Sequence, residues 1–136
     1  MQNLKENIEK LNNYLSDTSY NDIDIVDLIK YLSSKFGVKQ EIKKEKYQRL
    51  EEYIGDSKKV LLVLVDGLGY YKVNELSDSS ILKKNLMTGI RTVNPTSTAC
   101  VLTSVCSAKY PSEHGIFGWW QYLRSKNLNY CPLPMV

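Results

Sequence analysis

A run of six apolar residues, Val60–Val65, constrains the fold of this chain more than any other feature. The run contains only valine and leucine and does not alternate with polar residues, which is typical of a strand covered on both faces in a parallel sheet. Asp66 and Gly67 end it. Helical and strand-like segments alternate after this point, and the order strand, helix, strand, helix predicts an α/β fold with right-handed crossovers.

The other predicted elements follow from apolar residues at helical spacing and from turn residues between them. The predicted helices are Leu4–Leu15, Ile25–Phe36, Gln40–Ile54, Tyr70–Leu76, Ser80–Leu86 and Ser97–Ala108. A second strand is predicted at Ile90–Val93, and a hairpin at Trp119–Arg124 and Leu128–Leu133. The chain therefore opens with helices and turns to mixed α/β character after residue 57.

Composition excludes several classes of function. The 136 residues suffice for a hydrophobic core, and the net charge of +3 gives no electrostatic case for nucleic acid. The N-terminus lacks the apolar core of a signal peptide, and the longest apolar run is too short to span a bilayer. A cytoplasmic protein with no membrane partner is expected. Cys100, Cys106 and Cys131 lack metal-ligand spacing and are predicted to be buried small hydrophobic residues.

Polar side chains come where both predicted strands end. Ligands bind beyond the carboxyl ends of the strands in open parallel sheets, and Asp66 follows the first strand while residues 94–98 follow the second. A carboxylate in this place, followed by glycines that let a ligand approach the backbone, suits a metal ion. Asp66 could equally cap the next helix, and the sequence leaves both interpretations open.

Thr96, Ser97 and Thr98 open the helix that follows. One of these hydroxyls is expected to cap the helix. A hydroxyl there also faces unpaired N–H groups and the positive end of the helix dipole, which favours an alkoxide and nearby phosphate oxygens. These effects are modest, so a nucleophile also needs metal coordination. Ser97 or Thr96 can cap while Thr98 reacts. The Gly67–Gly69 turn lacks the third glycine of a dinucleotide loop.

Three segments together carry a family resemblance: Leu61–Gly67, Asn94–Thr98 and Tyr110–Gly115. In order and spacing they resemble the nucleotide pyrophosphatase/phosphodiesterase branch (type I phosphodiesterases) of the alkaline phosphatase superfamily. This resemblance implies a three-layer α/β/α sandwich of the alkaline-phosphatase type. We therefore expect residues 1–57 to be an N-terminal helical segment and residues 58–136 to be the N-terminal part of that hydrolase domain.

The resemblance also implies a two-metal site with a threonine nucleophile. The matching positions are Asp66, as ligand of a divalent metal that is usually zinc, and Thr98, as nucleophile and ligand of the same metal. Attack of Thr98 on phosphorus would give a phosphothreonine, while the second metal stabilises the leaving oxygen and activates water. The implied substrate is a small phosphoester or a nucleotide-like compound.

The chain departs from the family pattern in its ligands and in one substrate-binding position. Such a site uses several aspartates and histidines, but the sole histidine here, His114, matches one that is not a metal ligand, so we expect a structural role for it. The residues present could hold one metal at most. Trp119 stands where eukaryotic members have an asparagine that binds a phosphoryl oxygen, which favours a bacterial subgroup. Trp119 and Trp120 could line a pocket or pack in the core.

Two functions therefore remain open at this point. The first is the N-terminal portion of a metal-dependent phosphodiesterase-like hydrolase, with little or no activity alone. The second is a non-enzymatic interaction module derived from the same fold, which could self-associate through an exposed sheet edge.

Overall fold

The computed structural model describes Lys5 and residues 23–132 of the chain, which combine helices with a small antiparallel sheet. The predicted first helix, Leu4–Leu15, lies outside the described residues except for Lys5. The helices in chain order are α1 (Ile25–Lys35), α2 (Lys44–Ile54), α3 (Tyr70–Asn74), α4 (Ile81–Lys84), α5 (Thr98–Ser107) and α6 (Pro111–His114). The strands are β1 (Gln121–Leu123) and β2 (Leu128–Tyr130). Among the described residues, no helix has the length and apolar character that a bilayer crossing requires.

Helix α1 begins with a reciprocal cap. The Asp27 N–H donates to Asp24 Oδ1 at 2.9 Å, and the Asp24 N–H donates to Asp27 Oδ2 at 3.1 Å. Each carboxylate thus satisfies an N–H that the first turn would leave unpaired. Asp27 is buried, and Lys46 Nζ of α2 lies 2.6 Å from its Oδ2. The cap of one helix therefore also anchors the other.

A second polar contact joins α1 to α2. The buried Tyr31 donates its hydroxyl to the Glu51 carboxylate, and Lys35 Nζ lies 3.2 Å from Glu51 Oε1. Lys35 also donates to the carbonyl of Gly55 at the end of α2. Burial and the hydrogen bond to Glu51 raise the pKa of Tyr31, and that hydrogen bond, with Lys35 beside it, lowers the pKa of Glu51.

The core lies where α1 meets α5 on one side and α2 on the other. One cluster of buried side chains brings the start of α1 against α5 and consists of Ile25, Val26, Val93 and Cys100. The other packs α1 against α2 and consists of Ile23, Tyr31 and Leu50. The helical segment before residue 57 therefore supplies much of the surface on which α5 rests.

The prediction that Val60–Val65 is a strand buried on both faces is wrong in this structure. These residues form no strand, and no backbone–backbone hydrogen bond joins them to any described residue. Leu61 is 86% exposed and Val63 69% exposed. A strand needs neighbours for its N–H and C=O groups and cover for its faces, and the described residues provide neither for this run.

The second predicted strand, Ile90–Val93, is also not formed as expected. Arg91 makes one parallel bridge, and its partner is Asp24 in the residues that lead into α1. The Ile25 N–H donates to the Arg91 carbonyl at 2.9 Å, and the Arg91 N–H donates to the Ile23 carbonyl at 3.1 Å. Both backbone groups of Arg91 therefore pair with the residues that lead into α1.

The predicted helices within residues 23–132 and the hairpin are confirmed, with shorter bounds. In the hairpin, Gln121 pairs with Tyr130 and Leu123 with Leu128 in antiparallel register. A 3₁₀ turn at Arg124–Lys126 connects the strands and ends at Asn127, which has φ +49°. Asparagine tolerates this left-handed conformation better than most residues, and its carboxamide accepts a hydrogen bond from the Tyr122 hydroxyl at 2.6 Å. The turn chemistry therefore fixes the hairpin register.

The prediction that all three cysteines are buried holds for one of them. Cys100 is fully buried, Cys131 is half-buried, and Cys106 is exposed. Helix α5 turns Ala99, Cys100 and Ser104 towards the core, whereas Cys106, in its last turn, is exposed.

Candidate active site

Thr98 is the first residue of α5. Ser97 precedes it with extended backbone (φ −72°, ψ 145°), and its Oγ accepts a hydrogen bond from the Cys100 N–H at 3.4 Å. Ser97 is therefore the cap, as one of the two predicted arrangements requires. The cap leaves the Thr98 hydroxyl available for other contacts at the positive end of the helix dipole.

Asp66 directly follows the exposed apolar run. Gly67 after it has φ +73°, a left-handed conformation that glycine adopts without strain. Helix α3 begins four residues after Asp66, and its N-cap residue, Gly69, has no capping side chain. The interpretation of Asp66 as a helix cap is therefore wrong, and its carboxylate is directed elsewhere.

The structure brings Asp66 and Thr98 together across 32 positions of sequence. Thr98 Oγ1 donates to Asp66 Oδ2 at 3.3 Å, which is long for a hydroxyl–carboxylate hydrogen bond. Thr98 is half-buried and Asp66 is exposed, so both oxygens can be reached from solvent. The pair is loosely held, and a ligand can enter between its two oxygens without breaking a strong bond.

Asp66 and Thr98 share the wall of a cavity of about 460 Å³. Most of its wall is the end of the apolar run, the glycine turn and one face of α5. The lining residues are Leu64, Val65, Asp66, Gly67, Leu68, Gly69, Thr92, Thr96, Thr98, Val101 and Leu102. Sequence reasoning missed Thr92, although its place one residue before the predicted strand end indicates that it could reach the same edge.

The donor atoms in this cavity could supply some, but not all, of the ligands of one divalent cation. Asp66 contributes a carboxylate and Thr98 a hydroxyl, and oxygen donors of this kind bind divalent metals. Within residues 23–132, no group of three or more histidine, cysteine, aspartate or glutamate side chains is arranged to hold a metal. Asp66 and Thr98 therefore fit a metal as two members of a ligand set that needs further donors.

Neither His114 nor the tryptophan pair lines this cavity. His114 Nε2 lies 2.9 Å from Ser104 Oγ, and its Nδ1 accepts the Ile116 N–H at 3.0 Å. Burial lowers the pKa of His114 because it disfavours the charged ring. Trp119 is half-buried and Trp120 is 75% exposed, so Trp120 does not pack in the core.

Comparison with known proteins gives one positive result. The family model of type I phosphodiesterase / nucleotide pyrophosphatase matches residues 60–132. The matched segment includes Asp66, Thr98 and Tyr110–Gly115, and it spans more than half of the chain. Neither a curated protein nor a solved structure matches the chain. The match agrees with the family indicated by the three sequence motifs. The chain belongs to the type I phosphodiesterase / nucleotide pyrophosphatase family.

Proposed function

We propose that this chain provides part of the active site of a metal-dependent phosphoester hydrolase, with Thr98 as the nucleophile and Asp66 as a metal ligand. The family indicates phosphodiesterase or nucleotide pyrophosphatase activity in general. The observation that carries the finer proposal is the hydrogen bond from Thr98 Oγ1 to Asp66 Oδ2 in the wall of the cavity. The proposed substrate is a small phosphodiester or a nucleotide-like pyrophosphate.

In the proposed reaction, the Thr98 oxygen bonds to phosphorus while the bond from phosphorus to the leaving oxygen breaks, and the leaving group departs with the electron pair. The Thr98 proton passes to solvent water. Water then attacks the phosphothreonine, the phosphorus–Thr98 bond breaks, and the hydroxyl is restored.

Asp66 and Thr98 would also hold a divalent cation, for which zinc is our first choice. A bound cation would supply charge neutralisation at phosphate and would favour the ionised hydroxyl. Because the pair gives only two oxygen donors, we infer weak cation binding and slow turnover by this chain, which is measured at high protein concentration. In the complete domain, for which we propose an alkaline-phosphatase-like sandwich, further ligands would join them.

The nucleophile is tested with a chromogenic phosphodiester in the presence of Zn²⁺ or Mn²⁺. Thr98→Ala is expected to lower turnover by about a hundred-fold or more, the low end for loss of a catalytic group, and Thr98→Ser to retain part of it. Thr103→Ala is the matched control, because Thr103 is on the same helix but donates to the Ala99 carbonyl and does not line the cavity. Turnover that survives Thr98→Ala contradicts the assignment.

The metal ligand is tested without turnover. Calorimetric titration with Zn²⁺ should show that Asp66→Asn weakens binding about ten-fold or more, since it removes the charged donor. Equal affinities of the wild type and Asp66→Asn would contradict the proposed ligand.

One observation favours the alternative of an interaction module. The run Val60–Val65 is exposed on both faces and carries no charge, proline or glycine, the composition with which identical strands pair. We propose a second copy of the chain as its partner. Sedimentation velocity should then show concentration-dependent association that Val63→Lys abolishes and Met87→Lys, which alters another exposed apolar side chain, does not. A monomer at all concentrations removes this alternative.

A further inference from the structure

The two hydrogen bonds of His114 determine which ring nitrogen carries the proton. The Ile116 N–H donates to Nδ1 at 3.0 Å, so Nδ1 is an unprotonated acceptor. The proton of the neutral ring is then on Nε2, 2.9 Å from Ser104 Oγ. Ser104 Oγ therefore accepts from His114, which excludes His114 as a base that activates this serine.

The contact lies inside the protein. Ser104 is fully buried in the middle of α5, and the His114 ring is half-buried beside it. His114 ends α6, whose first turn is fixed by Pro111 and by the hydrogen bond from the Tyr110 N–H to Glu113 Oε2 at 2.8 Å. The hydrogen bond between the His114 imidazole and the Ser104 hydroxyl therefore connects the end of α6 to α5.

The loop after His114 returns to the start of α5. Gly115 has φ +75° and turns the chain, and its carbonyl accepts from Gln121 Nε2 at 3.0 Å. Two residues later, the Phe117 carbonyl accepts the Ser97 hydroxyl at 3.4 Å. Ser97 Oγ in turn accepts the Cys100 N–H, also at 3.4 Å. The hydroxyl that caps α5 is thus oriented by a carbonyl of this loop.

We propose that His114 is a positioning residue for Thr98. Its neutral ring, fixed between Ser104 and the Ile116 N–H, holds the loop whose Phe117 carbonyl orients the Ser97 cap next to Thr98. This inference rests on the proposed role of Thr98 as the nucleophile. It assigns to the histidine of the Tyr110–Gly115 motif a function that requires no contact with substrate or metal.

The first test measures the tautomer in the wild-type chain. Two-dimensional NMR that correlates ring nitrogens with ring protons distinguishes a protonated from an unprotonated Nδ1. We expect a protonated Nε2 and an unprotonated Nδ1 at neutral pH. A proton on Nδ1 overturns the proposal without recourse to any variant.

The second test separates the two hydrogen bonds of the ring by substitution. His114→Asn places an acceptor near the position of Nδ1 but cannot reach Ser104, and His114→Gln reaches towards Ser104 but lacks that acceptor. His114→Phe removes both bonds. Amide hydrogen exchange is followed at Ile116, at Cys100 and, as a reference for global stability, at Leu50 in α2.

In His114→Phe we expect exchange at Ile116 and Cys100 to accelerate about ten-fold relative to Leu50, the scale of one lost hydrogen bond. His114→Asn should restore Ile116 more than His114→Gln does. Equal acceleration at all three amides would mean a general loss of stability, and an unchanged Cys100 would mean that the loop does not hold the cap. Either outcome overturns the proposal.

These measurements need neither a cation nor turnover, so they fail or succeed independently of the proposed function. If Thr98→Ala leaves hydrolysis intact, the proposed function fails while the exchange result stands as a property of the fold. If Thr98 is the nucleophile, His114→Phe should lower kcat about ten-fold with little change in KM, because a displaced nucleophile affects the transition state more than binding. An unchanged kcat in that case contradicts the positioning role.

Discussion

Two valine-to-alanine substitutions test the least expected feature of the fold, the exposure of its most apolar run. Val26 in α1 is 0% exposed and packs in the cluster with Cys100, whereas Val63 in the apolar run is 69% exposed. The chemical change is identical at the two positions. Any difference in the free energy of unfolding therefore reports the burial of each side chain.

The magnitudes follow from the burial. Each substitution removes two methyl groups, and full burial contributes about 0.8 kcal/mol for each, or about 1.6 kcal/mol together. At Val26 the cavity left behind raises the loss to about 2–3 kcal/mol. At Val63 less than a third of the side chain is covered, so the same arithmetic gives a loss of about 0.5 kcal/mol or less.

Urea denaturation followed by circular dichroism measures both values, and each series is repeated at two protein concentrations. A concentration-independent loss of about 2 kcal/mol in Val63→Ala would refute the reasoning, since it would mean that the run is buried within one chain. A loss that grows with protein concentration would instead indicate burial between copies, because association stabilises the folded state by mass action.

Further predictions concern the polar contacts. Tyr110→Phe removes the 2.9 Å hydrogen bond to Asp24 Oδ2 and is expected to lower the free energy of unfolding by about 1.5 kcal/mol. Tyr122→Phe, which loses only an exposed hairpin bond, should change it by less than about 0.5 kcal/mol in the same denaturation assay. Because the pKa of Glu51 is lowered in the folded state, chiefly by the Tyr31 hydroxyl, its stabilising effect is complete above its unfolded pKa of about 4.3. That effect is lost as the pH falls through the lowered value. Tyr31→Phe should therefore weaken the acid dependence of stability between pH ~5 and ~3, measured by thermal melts.

The helices could be predicted from the sequence because their signals are local. In α1, apolar residues recur at helical spacing and Gly37 follows the last turn, and the helix ends one residue before the predicted Phe36. Helix α2 begins at Lys44, four residues after the predicted start at Gln40, and its N-cap residue Lys43 makes no capping hydrogen bond, so the sequence carries no capping signal at the true start. Propensity gives the existence of an element more reliably than its ends.

The strand prediction at Val60–Val65 failed for a physical reason. An apolar run without alternation indicates a strand that must be buried on both faces. It does not identify the segments of the chain that would bury them. The bridge from Arg91 to Asp24 could not be foreseen either. Asp24 is the N-cap residue of α1, and a cap residue that also pairs with a distant segment carries no separate local signal.

At the site, the proximity of Asp66 and Thr98 could be predicted from the family resemblance, which assigns both residues to one metal, although the sheet edge also expected from the sequence is not formed among the described residues. The contact of Ser104 with His114 could not, because it depends on how the chain turns between α5 and α6. That turn passes through Ala108, which has φ +55°, a conformation alanine rarely adopts. The Ala108 N–H donates to the Ser104 carbonyl at 2.9 Å, and the Ala108 side chain is buried. Packing and this hydrogen bond therefore hold Ala108 in a left-handed conformation that alanine does not favour.

The hydrogen bond from Tyr110 to Asp24 has a consequence for the order of folding. It joins residues 86 positions apart, and closing a loop of that length costs about 4 kcal/mol of chain entropy before the contact can form. Contacts of this separation slow folding. Because synthesis runs from the N-terminus, α1 and α2 would emerge before α5 and α6, and the Tyr110–Asp24 hydrogen bond would form last. A fragment of residues 60–132 lacks Asp24, so its Tyr110 could not form this hydrogen bond. The folding unit is thus larger than the segment by which the family is recognised.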